Sequence, residues 1–172
     1  MCESEEKLKE SLMNHSPILF VGAGFSYGAV CKGKSLPLGE DLQKELFDYF
    51  YSNSNMLNED KAALKKMSLS ELCSVIKREG KDGELKKYLI DRFQGTMPSS
   101  DNPFHNMLCD YYWDKIYTLN IDDLIENIYT SNGIEYVVQN EKIEKKSGGK
   151  RQIIKLHGCV NKSEEPFIFS SD

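Results

Sequence analysis

The stretch ILFVGAGFS, from Ile18 to Ser26, constrains the fold of this chain more strongly than its composition does. Its first four residues are apolar, and three of them are β-branched or aromatic, a pattern that predicts a buried strand. The strand runs directly into Gly22, Ala23 and Gly24. Glycines at the carboxyl end of a strand in an open α/β sheet let a ligand approach the backbone closely. We therefore predict a phosphate-binding turn at these residues.

The glycine spacing leaves a second interpretation open. Tyr27 stands where the common Gly-x-Gly-x-x-Gly dinucleotide motif has its third glycine, and Gly28 follows one residue late. Taken alone, the motif is therefore equally consistent with a tight strand-to-loop turn that binds nothing.

Strand and helix patterns alternate along the chain, and their order predicts the fold class. An amphipathic helix precedes the first strand, and a loop follows it. Helical periodicity then dominates about residues 40–112, after which come a strand, a helix and three further strands. We expect an α/β, Rossmann-like fold with a mostly parallel sheet flanked by helices. The helices of residues 40–112 form a helical insertion between the first two strands, within one domain that spans residues 1–172.

Polar side chains follow two further predicted strands, at the point where each strand ends. Asn120 and Asp122 follow the strand in IYTLNIDD, and His157 follows the one in IIKLHG. Because the carboxyl ends of parallel strands meet at one edge of a sheet, we expect these side chains to share a site with the glycine turn. An N-terminal helix cap is the structural alternative for Asp122, and it leaves Asn120 unexplained.

Composition excludes several function classes. The net charge of -5 and the isoelectric point near 5.3 argue against a nucleic-acid surface. The sequence begins without a signal-peptide pattern and holds no apolar run long enough for a membrane span, which predicts a cytoplasmic protein. The five scattered cysteines lack metal-ligand spacing, so we predict no metal site.

In this order, the segments GAGFS, TLNID and LHG resemble the motifs of the sirtuin superfamily, whose members bind NAD and cleave its nicotinamide–ribose bond. Pro37 and His105 also match that pattern. IDDLIE, IIKLHG and FIFSSD look most like the divergent bacterial branch found in antiphage defence proteins. The resemblance implies that Gly22, Ala23, Gly24 and Ser26 hold the NAD phosphates and the adjoining ribose. It makes Asn120 and Asp122 the nicotinamide-side pocket, with Asn120 catalytic, and His157 the general base.

The chain departs from the deacetylase members of that superfamily in three respects. The interval NEKIEKKSGGKRQ lacks the paired cysteines of their zinc module, so no zinc is expected. Leu38 and Gly39 replace a Phe-Arg pair, and Leu119 replaces a glutamine. The family's fold also continues beyond the equivalent of Asp172, which predicts that this chain is the N-terminal piece of a longer domain or protein with its C-terminal strands truncated.

The resemblance implies an NAD hydrolase, with water as the acceptor and NAD depletion in antiphage defence as its role. Two alternatives remain: an NAD-dependent protein deacylase, and a non-catalytic NAD-binding or nucleotide-binding oligomerisation module. The expected partners are NAD and either a second copy of the chain or a regulatory protein, with no nucleic acid and no membrane.

Overall fold

The computed structural model describes residues 3–14, 17–100, 102–139, 148–162, 164 and 166–168. Its helices are α1 (Glu3–Asn14), α2 (Gly39–Tyr51), α3 (Asn58–Lys65), α4 (Leu69–Arg78), α5 (Asp82–Phe93), a 3-10 helix (Pro103–Asp110) and α6 (Leu124–Ser131). Its strands are β1 (Ile18–Val21), β2 (Val30–Cys31), β3 (Lys34–Ser35), β4 (Thr96–Met97), β5 (Lys115–Thr118), β6 (Tyr136–Gln139) and β7 (Arg151–Lys155).

The main sheet contains four strands in the order β1-β5-β7-β6, and each neighbouring pair is parallel. The predicted mostly parallel sheet flanked by helices is thus confirmed. The last residues of three strands lie side by side, because Val21 pairs with Thr118 and Thr118 pairs with Lys155. This register brings the three polar strand ends to one edge of the sheet.

Two apolar cores support this edge. One lies between the sheet and α6, where Ile116 and Ile153 of the strands pack with Leu124 and Ile128. The other is built mainly from α2, α3, α4 and α5 of the helical insertion, and it also contains Ile121, Val160 and Phe167 from outside the insertion. Leu36 packs against both cores, so the loop after β3 connects them.

The prediction of a loop after the glycine turn is partly wrong. β2 and β3 form a hairpin there, and β4 pairs with β2 to complete a small antiparallel sheet. The two-residue turn of this hairpin has positive φ at both Lys32 (49°) and Gly33 (78°). That is the geometry of a hairpin turn whose twist suits the strands, but a lysine is a weak sequence signal for it.

The helical insertion differs from the predicted pattern at two helix starts. The sequence pattern Ser-x-x-Glu predicts a capping box at Ser68 and Glu71, and the structure confirms it. The sequence also offers Asp82 as a helix cap, and this prediction is wrong, since Lys81 precedes the helix and Asp82 is its first residue. Pro103, predicted at a first helical position, does occupy one, but the helix that it begins is a 3-10 helix.

The last of the predicted strands, expected at EPFIFSSD, is not a strand over residues 166–168, and residues 165 and 169–172 lie outside the described part of the chain. Pro166 offers no N–H group to a strand ladder. One backbone bond still ties this segment to the sheet edge, from the Ile168 N–H to the His157 carbonyl. The polar interval NEKIEKKSGG, whose composition predicts a loop, also lies mostly outside the described residues.

The four cysteines within the described ranges, Cys31, Cys73, Cys109 and Cys159, are free thiols. None of the helices in these ranges combines the length and the apolar character that a membrane crossing requires.

Candidate functional site

The glycine turn follows β1 as a compact series of overlapping turns. The N–H groups of Phe25, Ser26 and Tyr27 donate to the carbonyl oxygens of Gly22, Ala23 and Gly24, at 2.9, 3.2 and 3.3 Å. These three amides are therefore used by the hydrogen bonds of the turn itself. Within the described part of the chain no acceptor meets the amides of Ala23 and Gly24, which lead the turn and lie in exposed residues.

Open space lies over the two glycines of this turn. A Cβ atom built on Gly22 or on Gly24 would meet no atom within 4 Å, and neither residue has a positive φ. Neither the packing of the described residues nor the backbone conformation therefore requires glycine at these positions. The space that a side chain would fill is available to a ligand that approaches the backbone.

Asn120 joins the end of β5 to the glycine turn. Its Nδ2 group donates to the Ser26 hydroxyl at 2.8 Å and to the Gly22 carbonyl at 3.0 Å. The Thr118 hydroxyl accepts from the Asn120 backbone N–H at 3.0 Å and steadies the loop. Because both amide hydrogens are used, the half-buried side chain can offer a ligand its carbonyl oxygen as an acceptor.

Asp122 lies behind Asn120 and is 5 % exposed. One carboxylate oxygen accepts from the Ser26 hydroxyl at 2.8 Å, and the other accepts from the Leu124 N–H at 3.1 Å. Burial raises the pKa of this carboxyl above its ordinary value, while the Lys155 ammonium and the two hydrogen bonds offset part of that effect. The geometry makes Asp122 a support for Ser26 and for the start of α6.

A buried ion pair beneath Asp122 was not predicted from the sequence. The Lys155 Nζ atom lies 2.8 Å from the Glu126 Oε1 atom, and it also donates to the Asp122 main-chain carbonyl. Both residues are 1 % exposed. Charged residues within the apolar patterns IIKL and LIENI were the available signal, since such residues are rarely buried unless they are paired.

The start of the 3-10 helix also holds the glycine turn. The Nε2 atom of His105 donates to the Phe25 carbonyl at 2.7 Å, and the Asn102 side chain donates to the Tyr27 carbonyl at 2.8 Å. His105 is 1 % exposed. Its role in the described structure is therefore to position the turn, and Asn102 is a contact that the sequence did not indicate.

His157 follows β7 at the same sheet edge and is half-buried. The Leu156 N–H donates to the Thr118 carbonyl, and the Leu119 N–H donates to the Val21 carbonyl, so the register continues past the strand ends. His157 thus lies about two strand spacings, of about 4.8 Å each, from the glycine turn. No described residue forms a hydrogen bond with its imidazole.

Asp123 serves the fold rather than this site. Its carboxylate accepts from the N–H groups of Gly95 and Thr96 at 2.8 to 3.0 Å, which ties α6 to β4. The neighbouring Asn127 side chain donates to the Thr96 carbonyl at 2.8 Å.

The site combines acceptor oxygens, backbone amides and one imidazole at one edge of the sheet, with open space over Gly22 and Gly24. This set can bind an anion at the turn, orient a hydroxyl group or a water molecule at Asn120, and take up a proton at His157. Within the described ranges no three His, Cys, Asp or Glu side chains cluster in a way that could hold a metal ion. The expectation that the chain binds no zinc stays a prediction.

Comparison with known proteins bears on the last third of the chain. A family model described as the SIR2-like domain matches residues 114–172, a range that contains Asn120, Asp122 and His157. The glycine turn lies outside this range. No curated protein matches the chain. Residues 114–172, which include the TLNID and LHG motifs, are thus similar to the SIR2-like domain.

Proposed function

We propose that the site binds NAD and hydrolyses its nicotinamide–ribose bond, releasing nicotinamide and ADP-ribose. One observation carries the proposal: a continuous series of hydrogen bonds links Gly22, Asn120, Ser26 and Asp122 beside the open space over the glycine turn. The SIR2-like match over residues 114–172 supports the choice of NAD as the ligand.

The glycine turn is suited to the diphosphate of a dinucleotide. Gly22 and Gly24 leave room for close approach, and the amides of Ala23 and Gly24 supply donors at the beginning of the overlapping turns. Backbone donors matter here because the chain has a net charge of -5. Ser26 is 5 % exposed, and its hydroxyl already bonds with Asn120 and Asp122. We therefore assign to Ser26 the role of holding Asn120 in place. The contact of Ser26 with the ribose stays a prediction.

When bound, NAD supplies a glycosidic bond that breaks through a transition state with positive charge on the ribose. Asn120 would accept a hydrogen bond from a ribose hydroxyl or from the attacking water, since its two amide hydrogens are already used. His157 would take up the proton released from that hydroxyl or water. The buried Asp122 would keep Asn120 and Ser26 in place. The prediction that Asp122 also lines the nicotinamide side of the pocket stays a prediction.

Incubating the protein with NAD and measuring nicotinamide release tests this proposal. We expect Asn120→Ala and His157→Ala each to reduce turnover by roughly 100-fold or more, because each removes a positioned polar group from the reacting centre. Asn55→Ala, at an exposed asparagine between α2 and α3, is the matched control and should retain the wild-type rate.

Three outcomes would contradict the proposal. Wild-type turnover in His157→Ala would remove His157 from the reaction. Calorimetric binding of NAD without nicotinamide release would favour a non-catalytic module. Transfer of an acyl group from a peptide to ADP-ribose, faster than hydrolysis, would favour a protein deacylase.

We further propose that the hydrolase acts in antiphage defence by depleting NAD, a role that rests on the likeness of IDDLIE, IIKLHG and FIFSSD to the bacterial defence branch. Cells that express the chain should lose NAD after phage infection, whereas cells that express Asn120→Ala should keep it. Equal NAD concentrations in both cultures after infection would contradict this role.

A further inference from the structure

Lys155 is a buried cation that the proposed hydrolysis does not use. It is the last residue of β7, it lies two residues before His157, and its side chain is 1 % exposed. Burying a lysine is costly because the charge leaves water. The position therefore calls for a physical reason.

Stability alone is a weak reason for this ion pair. The Lys155 Nζ atom lies 2.8 Å from the Glu126 Oε1 atom, but the second oxygen of Glu126 is buried without a hydrogen-bond partner among the described residues. Buried ion pairs often contribute no more stability than well-packed apolar residues of similar volume. An incompletely satisfied pair is less favourable still.

The contacts of Lys155 lead instead to the site. Its ammonium donates to the main-chain carbonyl of Asp122, whose carboxylate accepts from the Ser26 hydroxyl. That hydroxyl accepts from Asn120. A continuous path of polar contacts thus joins the end of β7 to the amide of Asn120.

Lys155 therefore connects two strand ends that must keep a fixed separation. The backbone of β7 leads directly from Lys155 to His157, while its side chain holds the loop that carries Asn120. Burial lowers the pKa of Lys155, but Glu126 and the other acidic neighbours raise it by more, so the pKa lies above its ordinary value. The side chain thus remains an ammonium donor at neutral pH.

We propose that Lys155 is a positioning residue, whose ammonium is oriented by Glu126 and fixes the Asp122 carbonyl, and thereby the distance between Asn120 and His157. This inference rests on the proposed NAD hydrolysis. Lys155 contacts neither the ligand nor the reacting atoms. Its effect on the reaction passes through the loop of residues 120–122.

The test removes both charges together. Lys155→Met alone would leave the Glu126 carboxylate buried and unpaired, which is strongly destabilising. The double variant Lys155→Met/Glu126→Leu keeps the buried volume and removes both charges, so we expect its urea-unfolding midpoint to stay near that of the wild type. Its NAD turnover should nevertheless fall by roughly 100-fold, because small displacements of reacting groups cost this much.

Two further variants complete the design. Arg92→Met/Glu45→Leu removes an ion pair of the same length, 2.8 Å between Nε and Oε2, that is less buried and joins α5 to α2 in the helical insertion. It should retain wild-type turnover. Glu126→Gln keeps an acceptor oxygen beside the ammonium, and it should retain more activity than the double variant. Wild-type turnover in a stable Lys155→Met/Glu126→Leu protein would overturn the inference and leave the pair a purely structural contact.

A second readout separates this inference from the proposed function. The side-chain amide protons of Asn120 bond with Ser26 and Gly22, so their NMR signals should be protected from exchange in the wild type. The Lys155→Met/Glu126→Leu protein should lose that protection, and Arg92→Met/Glu45→Leu should keep it. If the wild type releases no nicotinamide, the hydrolase proposal fails while this measurement still decides the positioning role. Unchanged protection in the double variant would overturn it.

Discussion

At the scale of single residues, the glycines near the site differ in how much room surrounds them. Gly22 and Gly24 face open space, whereas Gly158, directly after His157, has a φ of +100° and little room for a side chain. A Cβ atom on Gly158 would lie 2.9 Å from the Pro166 carbonyl oxygen and 2.9 Å from the Phe167 ring. The fold therefore requires glycine at position 158. For Gly22 and Gly24 in the turn, we infer that the reason for glycine is a ligand.

This contrast predicts different results for two alanine substitutions. Gly158→Ala should lower the free energy of unfolding by about 1–3 kcal/mol, because it strains the backbone and displaces the segment at Phe167. Gly22→Ala should change the free energy of unfolding by less than about 0.5 kcal/mol. It should weaken NAD binding about tenfold or more, because the added methyl group occupies the space for close approach. Urea unfolding and calorimetric titration with NAD measure the two effects.

Gly83→Ala is the matched control for the substitution at Gly22. Gly83 also meets no atom within 4 Å of a built Cβ, but it lies in α5 within the helical insertion. The Gly83→Ala variant should therefore leave NAD binding unchanged. Its effect on stability should be limited to a small gain from the higher helix propensity of alanine. Unchanged NAD affinity in Gly22→Ala would show that the turn is only a structural connection.

At the scale of elements, α6 supports the site through its buried face. Tyr129 of this helix is 1 % exposed, and its hydroxyl has no hydrogen-bond partner among the described residues. Burial raises the pKa of this hydroxyl from 10 to about 12. Between pH 10 and about 12, the folded protein therefore keeps the Tyr129 hydroxyl proton, whereas the unfolded chain releases it.

We therefore expect Tyr129 to reduce stability as the pH rises from 10 to about 12, because the unfolded state gains ionisation that the folded state resists. Tyr129→Phe should make the free energy of unfolding fall less steeply over this range. At neutral pH it should raise that free energy by about 1 kcal/mol, since a buried unpaired hydroxyl is removed. Urea unfolding at several pH values measures both effects.

The matched control for this prediction is Tyr27→Phe, because the Tyr27 side chain is 66 % exposed. Its pH dependence should follow that of the wild type. An equally steep alkaline loss of stability in Tyr129→Phe would contradict the prediction and assign that loss to other groups, such as Tyr88, whose pKa burial raises to about 12.

At the scale of the whole molecule, both polar and apolar contacts join the helical insertion to the rest of the chain. Asp123 holds the backbone of Gly95 and Thr96, and Leu36 packs against both apolar cores. The 3-10 helix that closes the insertion holds the glycine turn through His105 and Asn102. The insertion is thus in direct contact with the candidate site and does more than cover the sheet.

The sequence by itself determined the strands of the main sheet and three strand-end motifs. The apolar run Ile18–Val21 and the pair Ile153 and Ile154 of β7 favour strands locally, because apolar side chains gain free energy when a sheet buries them. The polar residues that interrupt such runs stand out for the same reason. Gly22, Asn120 and His157 could therefore be assigned to one sheet edge before the structure was known. The prediction that the first strand is buried is wrong, since β1 lies at the edge of the described sheet and Ile18 and Phe20 are 59 % and 61 % exposed.

Only the tertiary structure decided how those residues contact one another. The hydrogen bonds from Asn120 to Ser26 and Gly22 join residues more than 90 positions apart, a distance over which sequence periodicity carries no information. The ion pair between Lys155 and Glu126 likewise depends on β7 lying beside β5 and under α6. Local patterns specify which face of an element is apolar, whereas a buried polar contact is specified by where a distant element packs.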